Sequence, residues 1–197
     1  MFLNKIKNFL FDSYKKFKYY LLMKISSFLI LFLLSSNLLA SGINVFGIGI
    51  YDIKFDGSED DQTTDIRFER RIDKSIFNIG PKEDNFFFLK PFVGFETTGD
   101  SASYFLTGIY LEDNLGKLIK GEQNKFIFTP SLGVGFYDDG SGKKLGNDIQ
   151  FRSTIEISYV LNNNNRIGLS FGHISNANLG DKNPGVEIIG ISYQVPY

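Results

Sequence analysis

Between Phe126 and Tyr137 the chain alternates with a period of two, and the two faces this creates are unlike. Phe126, Phe128, Pro130, Leu132, Val134 and Phe136 are apolar, while Thr129, Ser131, Gly133, Gly135 and Tyr137 are small or carry a polar group. Successive side chains of a strand point to opposite faces, so this spacing predicts a strand with lipid on one side and a packed polar interior on the other. The rhythm recurs along the chain. Ile66, Phe68 and Ile72 alternate with Asp65, Arg67, Glu69 and Arg71, and Phe87, Leu89, Val93 and Phe95 alternate with Lys90 and Glu96. Ile149, Phe151, Ile155, Ile157, Tyr159 and Leu161 alternate with Gln150, Arg152, Thr154, Glu156 and Ser158. A soluble barrel would put the apolar set inside. Here the inward set holds charges of both signs, which neutralise one another in a narrow lumen.

Such segments recur near residues 43–55, 63–74, 85–97, 102–112, 125–137, 148–161, 166–176 and 186–197. The expected fold is therefore all-β, an eight-stranded antiparallel transmembrane β-barrel over residues 41–197, whose interior is filled by side chains. Turn residues separate the segments. The run Asn162-Asn163-Asn164-Asn165 suits a short periplasmic turn, and Gly57–Thr64, Asn114–Asn124 and Asp138–Asn147 are expected to be loops.

Residues 1–40 are expected to be a signal peptide, with Met23 an alternative start. Six lysines up to Lys24 precede the apolar run Ile25–Leu34, and small or polar residues lead to a cleavage point after Ala40. That run is short for a membrane-spanning helix. Those residues hold six lysines and one aspartate, so the rest of the chain stands at about −6, a balance that gives nucleic acid no basic surface. The chain has no cysteine, which excludes disulfides, a thiol nucleophile and cysteine-ligated zinc. Export without cysteine fits the envelope of a Gram-negative cell.

The single histidine, His173, lies in His173-Ile174-Ser175-Asn176-Ala177, and Glu187 follows close behind. A serine hydroxyl is a weak nucleophile until a base takes its proton, and a carboxylate fixes the imidazole tautomer and stabilises its cation. His173 and Ser175 are two apart and share a face with Ile167, Leu169 and Phe171; Glu187 shares one with Ile189, Ile191 and Tyr193. All three therefore belong to the lipid-facing wall. Centring the seventh hairpin on Gly180 sets residue 187 opposite residue 173, so His173 and Glu187 are expected to be cross-strand neighbours. With the C-terminus periplasmic, His173 stands roughly 18 Å up the wall, toward the outer leaflet. No other motif carries chemistry: Gly47-x-Gly49 precedes no helix, and Asp138-Asp139-Gly140-Ser141-Gly142 lacks calcium-loop spacing, so neither metal nor cofactor is expected.

The His-x-Ser-Asn-Ala run, the downstream Asn183-Pro184-Gly185-x-Glu187, Leu145-Gly146 shortly before Gln150-Phe151, and the aromatic terminus Tyr197 resemble the PagL-type lipid A 3-O-deacylase family. The resemblance implies an outer-membrane barrel with a Ser-His-Glu triad on its outer wall. His173 would be the base, Ser175 the nucleophile, Glu187 the orienting acid, and Asn176 a contributor to the oxyanion hole, with the amides of Ala177 and Asn178 as other donors. The activity implied is removal of the ester-linked 3-hydroxyacyl chain at position 3 of lipid A, without a cofactor. Lipopolysaccharide and membrane lipid are then the expected partners; a homodimer is compatible with this reading. Two alternatives stay open: an outer-membrane phospholipase, and a non-catalytic barrel serving structure or adhesion.

Overall fold

The computed structural model describes residues 41–54, 62–81, 85–121 and 124–197. The expected signal peptide, and most of the Gly57–Thr64 loop, lie outside the described residues. Eight long strands carry the fold: β1 Gly42–Tyr51, β2 Thr63–Ile72, β3 Phe88–Thr98, β4 Ser103–Tyr110, β5 Phe126–Asp138, β6 Ile149–Val160, β7 Arg166–Ser175 and β8 Val186–Pro196. Each pairs antiparallel with its neighbours in sequence, and β1 pairs with β8 from Ile43↔Pro196 to Tyr51↔Ile188, which closes the ring and leaves no open edge.

Burial follows the parity of the sequence, inside out relative to a soluble protein. Leu132, Leu169 and Ile191 are each about three-fifths exposed on the outer wall, whereas Glu69, Arg71 and Glu156 are wholly buried. Aromatic residues pair across strands on the outside, Phe46 with Phe68 and Phe95 with Phe105, at ring separations of 5.2 and 4.5 Å.

The lumen is a salt-bridge network. Glu156 on β6 accepts from Arg67 at 2.8 Å and Arg71 at 2.7 Å, and also from Ser192 and Gln194 on β8. Arg71 reaches Glu69 at 2.8 Å, and Arg152 binds both Glu69 and Glu96. Buried charges persist only when paired and hydrogen-bonded. These pairs tie β2, β3, β6 and β8 across the interior, and the space left among Arg67, Glu96 and Arg152 is only about 10 Å³. Phe92, on the same parity as Lys90 and Glu96, also points inward, 5.5 Å from the Arg152 guanidinium. At the end away from Gly42 and Tyr197, Tyr51 donates to Tyr137, Tyr137 donates to the Lys143 carbonyl, and the Lys143 ammonium holds Asp52 at 2.7 Å. These bonds cross the barrel at that end.

Two expectations are corrected. The third segment does not start as strand at residue 85: Asn85–Phe87 form a 3-10 turn, so Phe87 precedes the strand it was expected to join. The Asn114–Asn124 stretch is not simply loop but contains a helix, α1 (Leu115–Lys120). Asn114 caps it, its side chain accepting from Lys117 N, and Gly121 ends it at φ 73. The helix is too short to show a hydrophobic period, and only its caps announce it.

Candidate active site on the outer wall

Strands β7 and β8 bring the expected residues to one patch. The ladder pairs Glu187 with His173, and the carboxylate Oε1 lies 3.1 Å from the imidazole Nδ1. Both side chains are about two-fifths exposed and stand on the same face as Phe171, Leu169 and Ile167. A carboxylate on the lipid side of a barrel is unfavourable alone. The imidazole partners it, and with Nδ1 engaged, Nε2 is the nitrogen left for a serine proton.

Ser175 ends β7 on the same face, half-buried, two residues from His173. Among the described residues its hydroxyl makes no hydrogen bond to the imidazole. The structure thus joins the histidine and glutamate directly and sets the serine beside them.

Asn176 is placed differently. It falls on the inward parity with Ile174, is fully buried, and spends its carboxamide on two loop carbonyls, Leu145 at 2.8 Å and Lys182 at 2.6 Å. Both amide hydrogens of an asparagine are then used, so in this arrangement the carboxamide has no N–H left to offer an oxyanion. Its backbone N–H donates to Asn183 Oδ1 at 3.0 Å, and its carbonyl accepts from Leu179 N at 2.9 Å. The turn so closed has Ala177 at φ 51 and Asn178 at φ 63, both left-handed. Asparagine tolerates that region; alanine pays on the order of 1 kcal/mol or more. The strain lies immediately after Ser175.

Two residues with no assigned role in the sequence also shape the site. Gly185, at φ 61, backs onto the histidine ring: a Cβ there would come 2.9 Å from His173 Cε1. Ser153 on β6 is the direct cross-strand partner of His173 on its other side. It is the one polar residue in the outward series Ile149, Phe151, Ile155, Ile157, and that break in the apolar run is the signal that would have found it. Beside it the wall is indented by an apolar groove of about 520 Å³, which starts at His173 and Phe171 and runs past Ser153, Ile155 and Leu132.

The geometry has counterparts. A family model described as lipid A 3-O-deacylase (PagL) matches residues 89–196, more than half of the chain. The lipid A deacylase PagL of Bordetella bronchiseptica (strain ATCC BAA-588 / NCTC 13252 / RB50) is 32% identical over 71 residues, a stretch that covers 35% of this chain and 40% of that protein, so the chain aligns with less than half of its relative's length. Among solved structures, the outer-membrane enzyme PagL superposes with a TM-score of 0.58 at 16% identity, covering 79% of this chain and 99% of the other. Neisserial surface protein A (NspA) superposes at 0.50 with 10% identity, covering 80% and 97%. These structural likenesses concern the fold. A closed barrel with an apolar outer wall, carrying this family's sequence, sits in the bacterial outer membrane. The chain belongs to the lipid A 3-O-deacylase (PagL) family.

Proposed function

We propose that the protein is an outer-membrane serine esterase that removes the ester-linked 3-hydroxyacyl chain at position 3 of lipid A. The observation that carries this reading is the His173–Glu187 pair at 3.1 Å, exposed on the lipid-facing wall beside Ser175 and at the mouth of an apolar groove. A site on the outside of a barrel suits a substrate that never leaves the leaflet. The groove suits the acyl chain, since pockets for apolar ligands are concave and mostly apolar with a few placed polar groups.

In this mechanism Ser175 Oγ attacks the ester carbonyl carbon while its proton passes to His173 Nε2. Glu187 holds the ring through Nδ1 and offsets the positive charge that forms. The negative charge on the former carbonyl oxygen is met by the backbone N–H groups of Ala177 and Asn178, presented by the strained turn; fixed backbone donors are the usual device for this task. Asn176 acts here through the turn it braces. The tetrahedral species collapses as Nε2 returns the proton to the sugar oxygen, leaving an acyl-serine and a free hydroxyl at position 3. Water, deprotonated by the same imidazole, then releases the 3-hydroxy fatty acid. The serine–histidine contact is expected to tighten on substrate binding, as catalytic hydrogen bonds often do.

The test is mass spectrometry of lipid A from cells with and without the protein. Loss of one 3-hydroxyacyl residue in the expressing cells supports the reading. Unchanged lipid A together with phospholipid hydrolysis on thin-layer plates points to a phospholipase instead, and no ester cleavage at all points to a structural barrel.

A further inference from the structure

The far end of the groove is built by a connection that lies mostly outside the family match. After β2 the chain returns to pair Phe77 with Leu89 and Asn78 with Phe88. Ile76 N donates to Leu89 O at 2.9 Å and Ile79 N to Phe87 O at 3.1 Å, so this piece is held by backbone bonds. It does not hang free below the barrel. The Phe86 ring stacks on Phe128 at 6.3 Å with the planes 21° apart, and Phe128 is an outward residue of β5. Residues 85–87 are therefore laid against the outside of the wall, with residues 76–79 paired beside them. Burial agrees: the outward residues Phe128 and Pro130 are half-covered, whereas Phe126 and Leu132 on either side of them are exposed.

Ile79 from this connection, Leu89 at the start of β3 and Leu111 after β4 line the same groove that opens at His173. We infer that Ile79, Leu89 and Leu111 form the end wall of the acyl groove and set the longest acyl chain the site accepts. The inference rests on the esterase reading above. His173, Ser153, Leu132 and Ile109 are successive cross-strand partners on β7, β6, β5 and β4. Three strand spacings separate the first from the last, about 14 Å, which an extended chain on the order of ten carbons would span. Beyond Ile109 the end wall begins. A groove open along the bilayer would let a longer chain continue into lipid; a closed end makes each further methylene a steric cost, and a single methylene in a fitted apolar site changes rates by about tenfold or more.

The experiment uses the full-length protein in phosphatidylcholine vesicles with synthetic 3-O-(3-hydroxyacyl) glucosamine lipids whose chains lengthen in two-carbon steps. The parent rate should fall sharply past one chain length. Ile79→Ala, which removes bulk at an exposed position, should raise the ratio of long-chain to short-chain kcat/KM by about tenfold, and Ile79→Trp should lower it by a similar factor. Ile167→Trp, equally exposed on β7 but outside the groove, should leave the profile in place. If both Ile79 variants keep the parent's chain-length profile, the end wall is refuted while the esterase reading stands. If the parent, folded by heat-modifiable gel mobility, cleaves none of the series, the esterase reading fails and this inference falls with it.

Discussion

At the scale of single residues the proposed site divides into groups assigned to the chemistry and groups that would aim them. Under the mechanism proposed above, Ser175→Ala and His173→Ala should each remove ester cleavage, because a nucleophile and its base act as one unit. Both side chains lie on the outer wall, away from the lumen network, so heat-modifiable gel mobility should persist; cleavage by the alanine variant of Ser175 would end the triad assignment. Glu187→Gln should lose less, by about 10²-fold, since an amide still holds the ring but does not offset its charge. Gly185→Ala is a sharper probe of aim. The new methyl would press on His173 Cε1 at 2.9 Å, and displacing a catalytic group by about 1 Å can cost on the order of 10²-fold in rate. A Gly185→Ala enzyme with the parent's kcat would show that the ring need not sit where Glu187 holds it.

At the scale of elements, the β7–β8 hairpin was legible because its strands are of matched length about a single turn, and that symmetry fixes residue 187 opposite residue 173. Alternation likewise exposed the eight strands, since a one-residue slip would turn Asp65, Arg67, Glu69 and Arg71 of β2, or Arg152 and Glu156 of β6, into lipid. What stayed hidden depends on loops rather than period. Asn176 looks like a donor beside a nucleophile, but it sits one residue past the strand, and only the positions of Leu145 and Lys182 show where its amide points. The pairing of Phe77 and Phe86 with distant partners was equally unreadable, because no periodicity survives a turn and two-residue strands. If Asn176 is a clamp, Asn176→Ala should speed hydrogen exchange in both the 139–148 and 176–185 loops, each lost bond being worth about 1 kcal/mol, and lower kcat with it. An oxyanion donor would lower kcat and leave exchange in the 139–148 loop as it was.

For the whole molecule, the packed lumen and the lateral site are complementary. Arginine and glutamate fill the interior, and nothing the size of a lipid passes through it. The outward register has a direct check, because the chain lacks cysteine and Ser175→Cys can carry a nitroxide without background labelling. In bilayers that label should be relaxed more by oxygen, which concentrates in lipid, than by a water-soluble nickel complex; a label at the lumen position Thr154, buried on β6, should not show an oxygen-rich setting. The reverse result at Ser175 would turn the hairpin inside out and close the wall to any ester in the membrane plane. A doorway that opens sideways also changes what saturation means for such a protein. If the proposed deacylation is right, its working concentration is a mole fraction, set by how crowded one leaflet is with the right lipid, so diluting the cells or the vesicles should leave turnover untouched while diluting the bilayer with inert lipid should slow it.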